Sequence, residues 1–491
     1  MEDPGVGCLR LMPDRDPLAS TFRPPQGLEA LEDALRRDLD ILSYPARGWV
    51  PPRSTPDGRP ILDVLIIGGG QSGLGAAFGL MRERVTNLLV LDDGRDGFHG
   101  PWKTFARMIT LRTPKYLTGP DYNIPNLSFR AWYEAQHGVE GFQQVALIPK
   151  ELWADYLLWY RRVLGIPVKC GTKAGALHWR QDLDCFEVPA AHNGETEFLL
   201  ARKVVLATGI DGSGRWDAPP EVQPLPRALW AHTHDPIDFE ALRGKRIGVL
   251  GAGASAFDNA SVALETGAGQ VDLFYRRKKL PNVNPYRWAE FAGFLRHHGD
   301  LPDAQRWRFI RQIIDMGQLP PRDTFERARR HPHFQLHAES PWVEVKAQDG
   351  QAVVRTPHAT HTFDFLIIAS GFTTDLSLRP ELAELHPHIA LWKDRFTPPE
   401  NERHADLLRH PYLGPSFEFQ EKQPGGAPWL SGVFNYTFGC LLSLGFGGAS
   451  ISGMKYSLPR LVGGITRQLY LDDSERHFRA LADYATTEFE T

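Results

Sequence analysis

Cysteine is scarce: four residues in 491, at Cys8, Cys170, Cys185 and Cys440. No two of them form a C-x-x-C pair, so neither a zinc site nor a redox-active disulfide is signalled, and no metal is expected. Widely spaced cysteines in a chain of this size suit a reducing cytoplasm. A strong charge of one sign is also missing. The formal net charge is -4 and the pI is about 6.5, with Lys and Arg scattered, which argues against a nucleic-acid partner. The opening residues, MEDPGVGCLRLMPDRDP, are acidic and broken by proline, with no apolar core of signal-peptide length. Long runs of Leu, Ile or Val are absent too. Gln423 to Met454 carries no charge and is long enough to span a bilayer, but it is rich in Gly and Ser and holds Asn435 and Thr437. It reads as a buried loop and helix at a cofactor, and no membrane span is expected.

What is present is an ordinary globular composition, 42% hydrophobic and 23% charged, in a chain long enough for two or three domains. Residues 1–59 form an N-terminal extension. Leu28, Leu31, Leu35, Leu39 and Leu42 fall at three- and four-residue intervals and predict an amphipathic helix, ended by Pro45 and Pro51-Pro52.

Two glycine-rich units follow. In the first, the apolar run Ile61 to Ile67 predicts a strand and Leu74 to Arg82 a helix, with Gly68, Gly70, Gln71, Ser72 and Gly73 between them. Leu88 to Leu91 predicts the next strand, which ends at Asp92. In a G-x-G-x-x-G turn the first glycine makes the bend and the second admits a pyrophosphate. The third lets helix and strand pack, while the helix N-terminus faces the phosphates. An acid at the end of the second strand accepts hydrogen bonds from ribose hydroxyls and repels a 2′-phosphate, which suits FAD or NAD over NADP. The second unit starts at Lys245, with the strand Ile247 to Leu250, the turn Gly251, Gly253, Ser255 and Ala256, the helix Ala254 to Leu264 and the strand Val271 to Tyr275. That last strand runs into Arg276-Arg277-Lys278-Lys279. Guanidinium donors there suit the 2′-phosphate of NADPH. The charge asymmetry assigns FAD to the first unit and NADPH to the second.

Elsewhere, Val204 to Leu206 predicts a strand running into Ala207-Thr208-Gly209, and residues 285–330 look helical. Val343 to Thr356 predicts a hairpin about Asp349-Gly350, and His361 to Ile368 a strand leading to Ala369-Ser370-Gly371-Phe372.

The order of these motifs, with Gly100-Pro101-Trp102 between them, resembles the class B flavin-dependent monooxygenases over roughly residues 60–470. This group holds the flavin-containing monooxygenases, the amine N-hydroxylases and the Baeyer–Villiger enzymes. The resemblance implies an α/β fold of two Rossmann-like dinucleotide-binding domains, the NADPH domain inserted in the FAD domain. The expected boundaries are 60–225 and 362–475 for FAD, 226–361 for NADPH with a helical insert, and 476–491 for a tail. The resemblance puts Trp102 near the flavin and makes Ala207 to Gly209 and Asp364 to Phe372 the inter-domain crossings, Gly371 among them. It also makes Gly445 to Ser450 the C-terminal flavin segment, where a helix from Ser450 to Leu461 would aim its dipole at the ring. The implied chemistry is reduction of FAD by NADPH, formation of a C4a-(hydro)peroxyflavin with O2, and oxygenation of a small organic molecule, N- or S-oxygenation favoured. Arg112, Lys115, His232 and Asn284 are the candidate polar residues for that site.

The sequence also departs from the family. Pro226 to Pro236 keeps His232 and His234 but lacks the Phe and Gly that open the flavin-containing monooxygenase signature and the Trp of a Baeyer–Villiger enzyme. After Leu111-Arg112-Thr113 stands Pro114 where an Asn is usual. The substrate stays open, as do an NAD(P)H-dependent flavin reductase or oxidase and a non-catalytic flavoprotein.

Overall fold

The computed structural model describes residues 24–117 and 119–489; Cys8 and the acidic opening stretch lie outside them. Two parallel sheets dominate, each seeded by one glycine-rich unit. In the first sheet, Pro60–Ile67 pairs in parallel with Leu88–Leu91 on one side and with Glu195–Leu206 on the other. Val433–Asn435 adds a parallel strand beyond Glu195–Leu206, so the C-terminal part of the chain returns to the first domain. Glu195–Leu206 runs 12 residues and makes this sheet mixed: its second half is parallel to Pro60–Ile67, while its first half pairs antiparallel with Cys185–His192. The β-branched and leucine run of Pro60–Ile67 is covered on both faces and buried over its last five residues before the turn, as expected for a central parallel strand.

The second sheet is wholly parallel, in the order Trp230–His232, Phe365–Ile368, Arg246–Leu250, Gln270–Phe274 and Phe334–His337. Phe365–Ile368 therefore belongs to this sheet, and the boundary expected between 361 and 362 moves past Ile368. The chain then crosses back along a two-stranded antiparallel strap, Phe372–Thr374 against Gly214–Trp216, so both inter-domain passages run side by side. The hairpin Glu344–Gln348 and Gln351–Arg355 turns through Asp349 (φ 51°) and Gly350 (φ 78°), the left-handed pair that a two-residue type I′ turn needs.

The helical insert packs differently from its place in the chain. Phe294, Trp307, Ile310 and Ile313 share a core with Trp392, Leu441, Leu442 and Phe446 of the returning segment. Arg306 donates to Ser443 O at 2.9 Å and Trp307 Nε1 to Glu402 O at 3.0 Å. Sequence placed the insert with the second domain, but its apolar faces are buried on the first. The helix Arg322–Arg329 leans on the second, through Ser261 and Glu265.

The helix Ile451–Asp472 lies along Gln71–Arg82. Glycine makes this possible: a Cβ at Gly75 would stand 2.6 Å from Leu458 Cδ1, and one at Gly79 2.7 Å from Val462 Cγ2. One more helix, Ser474–Ala482, starts just before the expected tail and runs into it. Among the described residues no helix is long and apolar enough to cross a membrane.

Candidate active site

Both glycine turns build the same device. Gly68 (φ +110°) and Gly251 (φ +119°) make the bend. A Cβ at either would lie 2.5 Å from Ala207 O or 2.4 Å from Ala369 O, on the neighbouring strand. Gly70 and Gly253 are extended and cap the helices Gln71–Arg82 and Ala254–Thr266, and nothing lies within 4 Å of where their Cβ atoms would be. Neither helix has a side-chain cap, so its first N–H groups face open space, the arrangement that receives a phosphate. Gly73 sits where a Cβ would be 1.8 Å from Gly68 O; Ala256 fills the matching place in the second unit.

One cavity of about 1310 Å³ joins the two turns, larger than the roughly 300–1,000 Å³ of an ordinary small-molecule site. Gly68, Gly70, Gln71, Ser72 and Asp92 line its first end, with Thr208 and Gly209 beside them. Gly253, Ser255, Ala256 and Gly371 line the other end, and Trp102 and Gly445 stand between. Gly73 and Gly251 shape the turns from behind and are not part of the wall.

The residues present fit FAD at the first turn. The glycine cradle would be filled by any Cβ, and Thr208 Oγ1 is buried at the wall without a hydrogen-bond partner among the described residues. Asp92 is buried and firmly held: its Oδ2 accepts from Gly69 N–H at 2.6 Å, and its Oδ1 accepts from Gly94 N–H at 2.9 Å and from His99 Nδ1 at 3.0 Å. Arg161 Nη1 stands 3.2 Å from His99 Nε2 and fixes the ring in turn. A carboxylate held this way is fixed at the cavity wall with its orientation set before any ligand arrives. Ser72 Oγ donates to Gly448 O and ties the first turn to the flavin segment. There the helix Ile451–Asp472 starts without a side-chain cap, at a cavity wall formed by Gly445, Phe446, Gly447 and Ser450.

At the second turn the basic cluster is displaced. Arg276 and Arg277 are exposed and outside the cavity wall. Arg277 donates to Asp315 O and Met316 O, both at 3.4 Å, at the C-terminal end of Asp303–Met316, where carbonyl groups favour a cation.

Of the four candidate polar residues, two reach the cavity. Arg112 lines it and pairs with Asp258 Oδ2 at 2.7 Å. His232 lines it as well; its Nδ1 accepts from His234 N–H at 3.2 Å, which leaves the proton on a buried Nε2 that has no hydrogen-bond partner among the described residues. Burial pushes the His232 imidazole down to about 4, so the ring is neutral at ordinary pH. Lys115 and Asn284 do not reach it. Lys115 Nζ donates to Phe142 O and Gln143 O at the end of Phe129–Gln144. Asn284 Oδ1 accepts from Tyr286 and Arg287 N–H as the cap of Pro285–Ala289. Their expected catalytic place is therefore corrected to helix ends, and the Asn-Pro pair at 284–285 is a cap signature legible in the sequence.

Sequence missed several residues of the site. Arg107 donates to Thr233 O and Asp235 O, both at 2.7 Å, and fastens the two domains together. Phe105, Trp216, His234 and Phe372 form an aromatic wall around the strap. Asp258 carried one visible signal, an acid in the alanine-rich helix that follows the second glycine turn.

Two phosphate-ready turns sharing one inter-domain cavity define a flavoprotein that serves a second dinucleotide. Comparison with known proteins extends this. Residues 65–211 match the FAD-NAD(P)-binding family. The chain is 46% identical over 466 residues to the FAD-dependent urate hydroxylase of Xanthomonas campestris pv. campestris, covering 94% of this chain and 97% of that one. Among solved structures, the ornithine hydroxylase of Pseudomonas aeruginosa aligns with a TM-score of 0.65 at 15% identity, over 83% of this chain and 100% of that one. The FAD-bound cadaverine monooxygenase of Erwinia amylovora aligns with a TM-score of 0.62 at 18% identity, over 83% and 95%; these two likenesses concern the fold. The chain belongs to the class B flavin-dependent monooxygenase family.

Proposed function

We propose that the protein is an NADPH-driven FAD monooxygenase whose substrate is urate or a closely similar oxidised purine. The observation that carries this is the 46% identity to a urate hydroxylase, sustained over 94% of the chain. The cavity supports it. Tyr286 stacks on Phe446 at 5.5 Å and 25°, and both line the cavity beside the flavin segment, an apolar face for a flat heterocycle. We favour this substrate over the amine or sulfide oxygenation that the family resemblance first suggested.

Bound FAD would supply the hydride and oxygen chemistry. The chain's own groups bind, orient and exclude water. The amides at Gly70 to Ser72 would take the FAD pyrophosphate, Asp92 its ribose, and the uncapped start of Ile451–Asp472 the charge that develops on the reduced ring. Neutral His232 would offer an N–H donor at Nε2, and Arg112 a cation between the two turns. Arg276, an exposed member of the basic cluster, would set the preference for NADPH over NADH.

The test is FAD-loaded protein with NADPH or NADH, with and without urate. Urate should raise NADPH consumption several-fold and be converted to an oxygenated product seen by mass. Unchanged NADPH consumption with untouched urate would sink the substrate reading, and a stoichiometric yield of hydrogen peroxide would favour an oxidase.

A further inference from the structure

Arg112 pairs across the cavity with Asp258, on the second turn's own helix Ala254–Thr266. The arginine comes from the first domain, beside Trp102 and Leu111. Asp258 lies five residues beyond Gly253, roughly 7 Å along the helix axis from the phosphate-binding end. Its carboxylate is buried, whereas the Arg112 side chain is about one third exposed to the cavity. The pair therefore has one buried, fixed half and one half free to move.

The arrangement contains a conflict. An acid this near a helix N-terminus suits the helix dipole, but it repels an arriving pyrophosphate across the same short distance. Only Arg112 Nη2 is engaged by Asp258, while its Nε is buried without a hydrogen-bond partner among the described residues. Thr324 Oγ1 donates to the other carboxylate oxygen at 3.2 Å, so Asp258 keeps a neutral partner when the arginine leaves. Asp323 and Arg327 on the same helix are the other charges facing it.

We propose that the pyrophosphate of a nicotinamide dinucleotide recruits Arg112 at the second turn, and that Asp258 is a positioning residue that holds the guanidinium in reserve and thereby weakens that binding. This rests on the second turn taking NAD(P)H. Burial pushes the Asp258 carboxyl up and Arg112 is the foremost group pulling it back, so the departure of the arginine raises the cost of keeping that charge buried.

The experiment is NADP+ affinity by calorimetry on FAD-loaded protein, for wild type, Arg112→Met, Arg112→Lys and Asp258→Asn. Arg112→Met should weaken NADP+ about ten-fold, the scale of one charge-assisted hydrogen bond, and Arg112→Lys should recover part of it. Asp258→Asn, which can still accept from Thr324, should tighten NADP+ about three-fold or more. A purely structural tether predicts that both losses weaken binding. Movement of Arg112→Met and Asp258→Asn in the same direction, no change in either, or absence of NADP+ binding to wild type overturns the proposal. Urate turnover is not read in this measurement, so failure of the substrate assignment leaves it intact and separately visible.

Discussion

The two glycine turns have nearly the same backbone and opposite surroundings. Their bends differ by 9° in φ (+119° less +110°), and their capping glycines sit at φ -75° and -77°. Beyond the turns the likeness ends. In the first unit an acid is buried and held by Gly69, Gly94 and His99, whereas in the second the matching cations lie on the surface. The turn therefore identifies a dinucleotide, and its neighbours decide which one and how tightly. A preorganised acid suits a cofactor kept through many turnovers, and mobile surface cations suit one that comes and goes.

The severest way to break this comparison is to fill the bends. Gly68→Ala forces a left-handed residue into contact with Ala207 O, and Gly251→Ala does the same at Ala369 O. The left-handed conformation alone costs about 1–2 kcal/mol for an L-residue, and the overlap adds to it. Gly68→Ala should purify without flavin colour. Gly251→Ala should keep its FAD but lose anaerobic bleaching by NADPH. Loss of flavin from both, or from neither, would mean that the turns are not separate sites.

Acid attacks both domains through buried histidines. Burial pushes His232, His298 and His410 each down to about 4 from 6.5. Since the folded value lies below the unfolded one, the unfolded chain binds more protons in that window. Their contribution is fully present above about pH 6.5 and falls as pH drops toward 4. Three such groups give a slope of up to about 4 kcal/mol per pH unit at mid-window. Tm followed from pH 7 to 4.5 should fall steeply, and His410→Phe should flatten the curve; an unchanged slope would show that the ring is not protonated on unfolding.

Sequence made the turns legible because their chemistry is local: a strand of period and length, glycines at fixed offsets, and a charge at the strand end. The Asp349-Gly350 hairpin was legible for the same reason. What escaped was everything that depends on chain segments far apart. Lys115 and Asn284 were plausible site residues until helix ends claimed them. The insert looked like part of the second domain because of where it falls, yet Trp307 needed Trp392 and Phe446 to show where it packs. Phe365–Ile368 could not be assigned to a sheet until its partners were known.

Exchanging the strand-end charges should have milder, selective effects. Asp92→Asn keeps the shape of the side chain but replaces one acceptor oxygen with a donor, so the contacts of either Gly69 or His99 are lost. FAD affinity should fall about ten-fold, from one to two charged hydrogen bonds. Arg276→Ala should raise KM for NADPH about five-fold and leave that for NADH unchanged, the mark of a single exposed phosphate contact. Equal effects on the two nicotinamides would place the 2′-phosphate elsewhere.

The smallest difference between the units is at the third position, and it separates packing from phosphate binding. Gly73 admits no side chain, because a Cβ would meet Gly68 O at 1.8 Å, whereas the second unit carries a fully buried methyl at Ala256. The helix Ala254–Thr266 thus accommodates at this position a methyl that Gln71–Arg82 could not. Ala256→Gly should cost up to about 1 kcal/mol, through greater backbone freedom in the unfolded chain and loss of that packing. It should leave NADP+ affinity unchanged, since the open space lies at Gly253 while the Ala256 methyl is fully buried. A Tm lower by a few degrees with unaltered NADP+ binding would confirm that the third residue only packs. Tighter binding would instead show that the methyl holds the helix end away from the phosphates, and the first unit's glycine would then be the better anion site because of it.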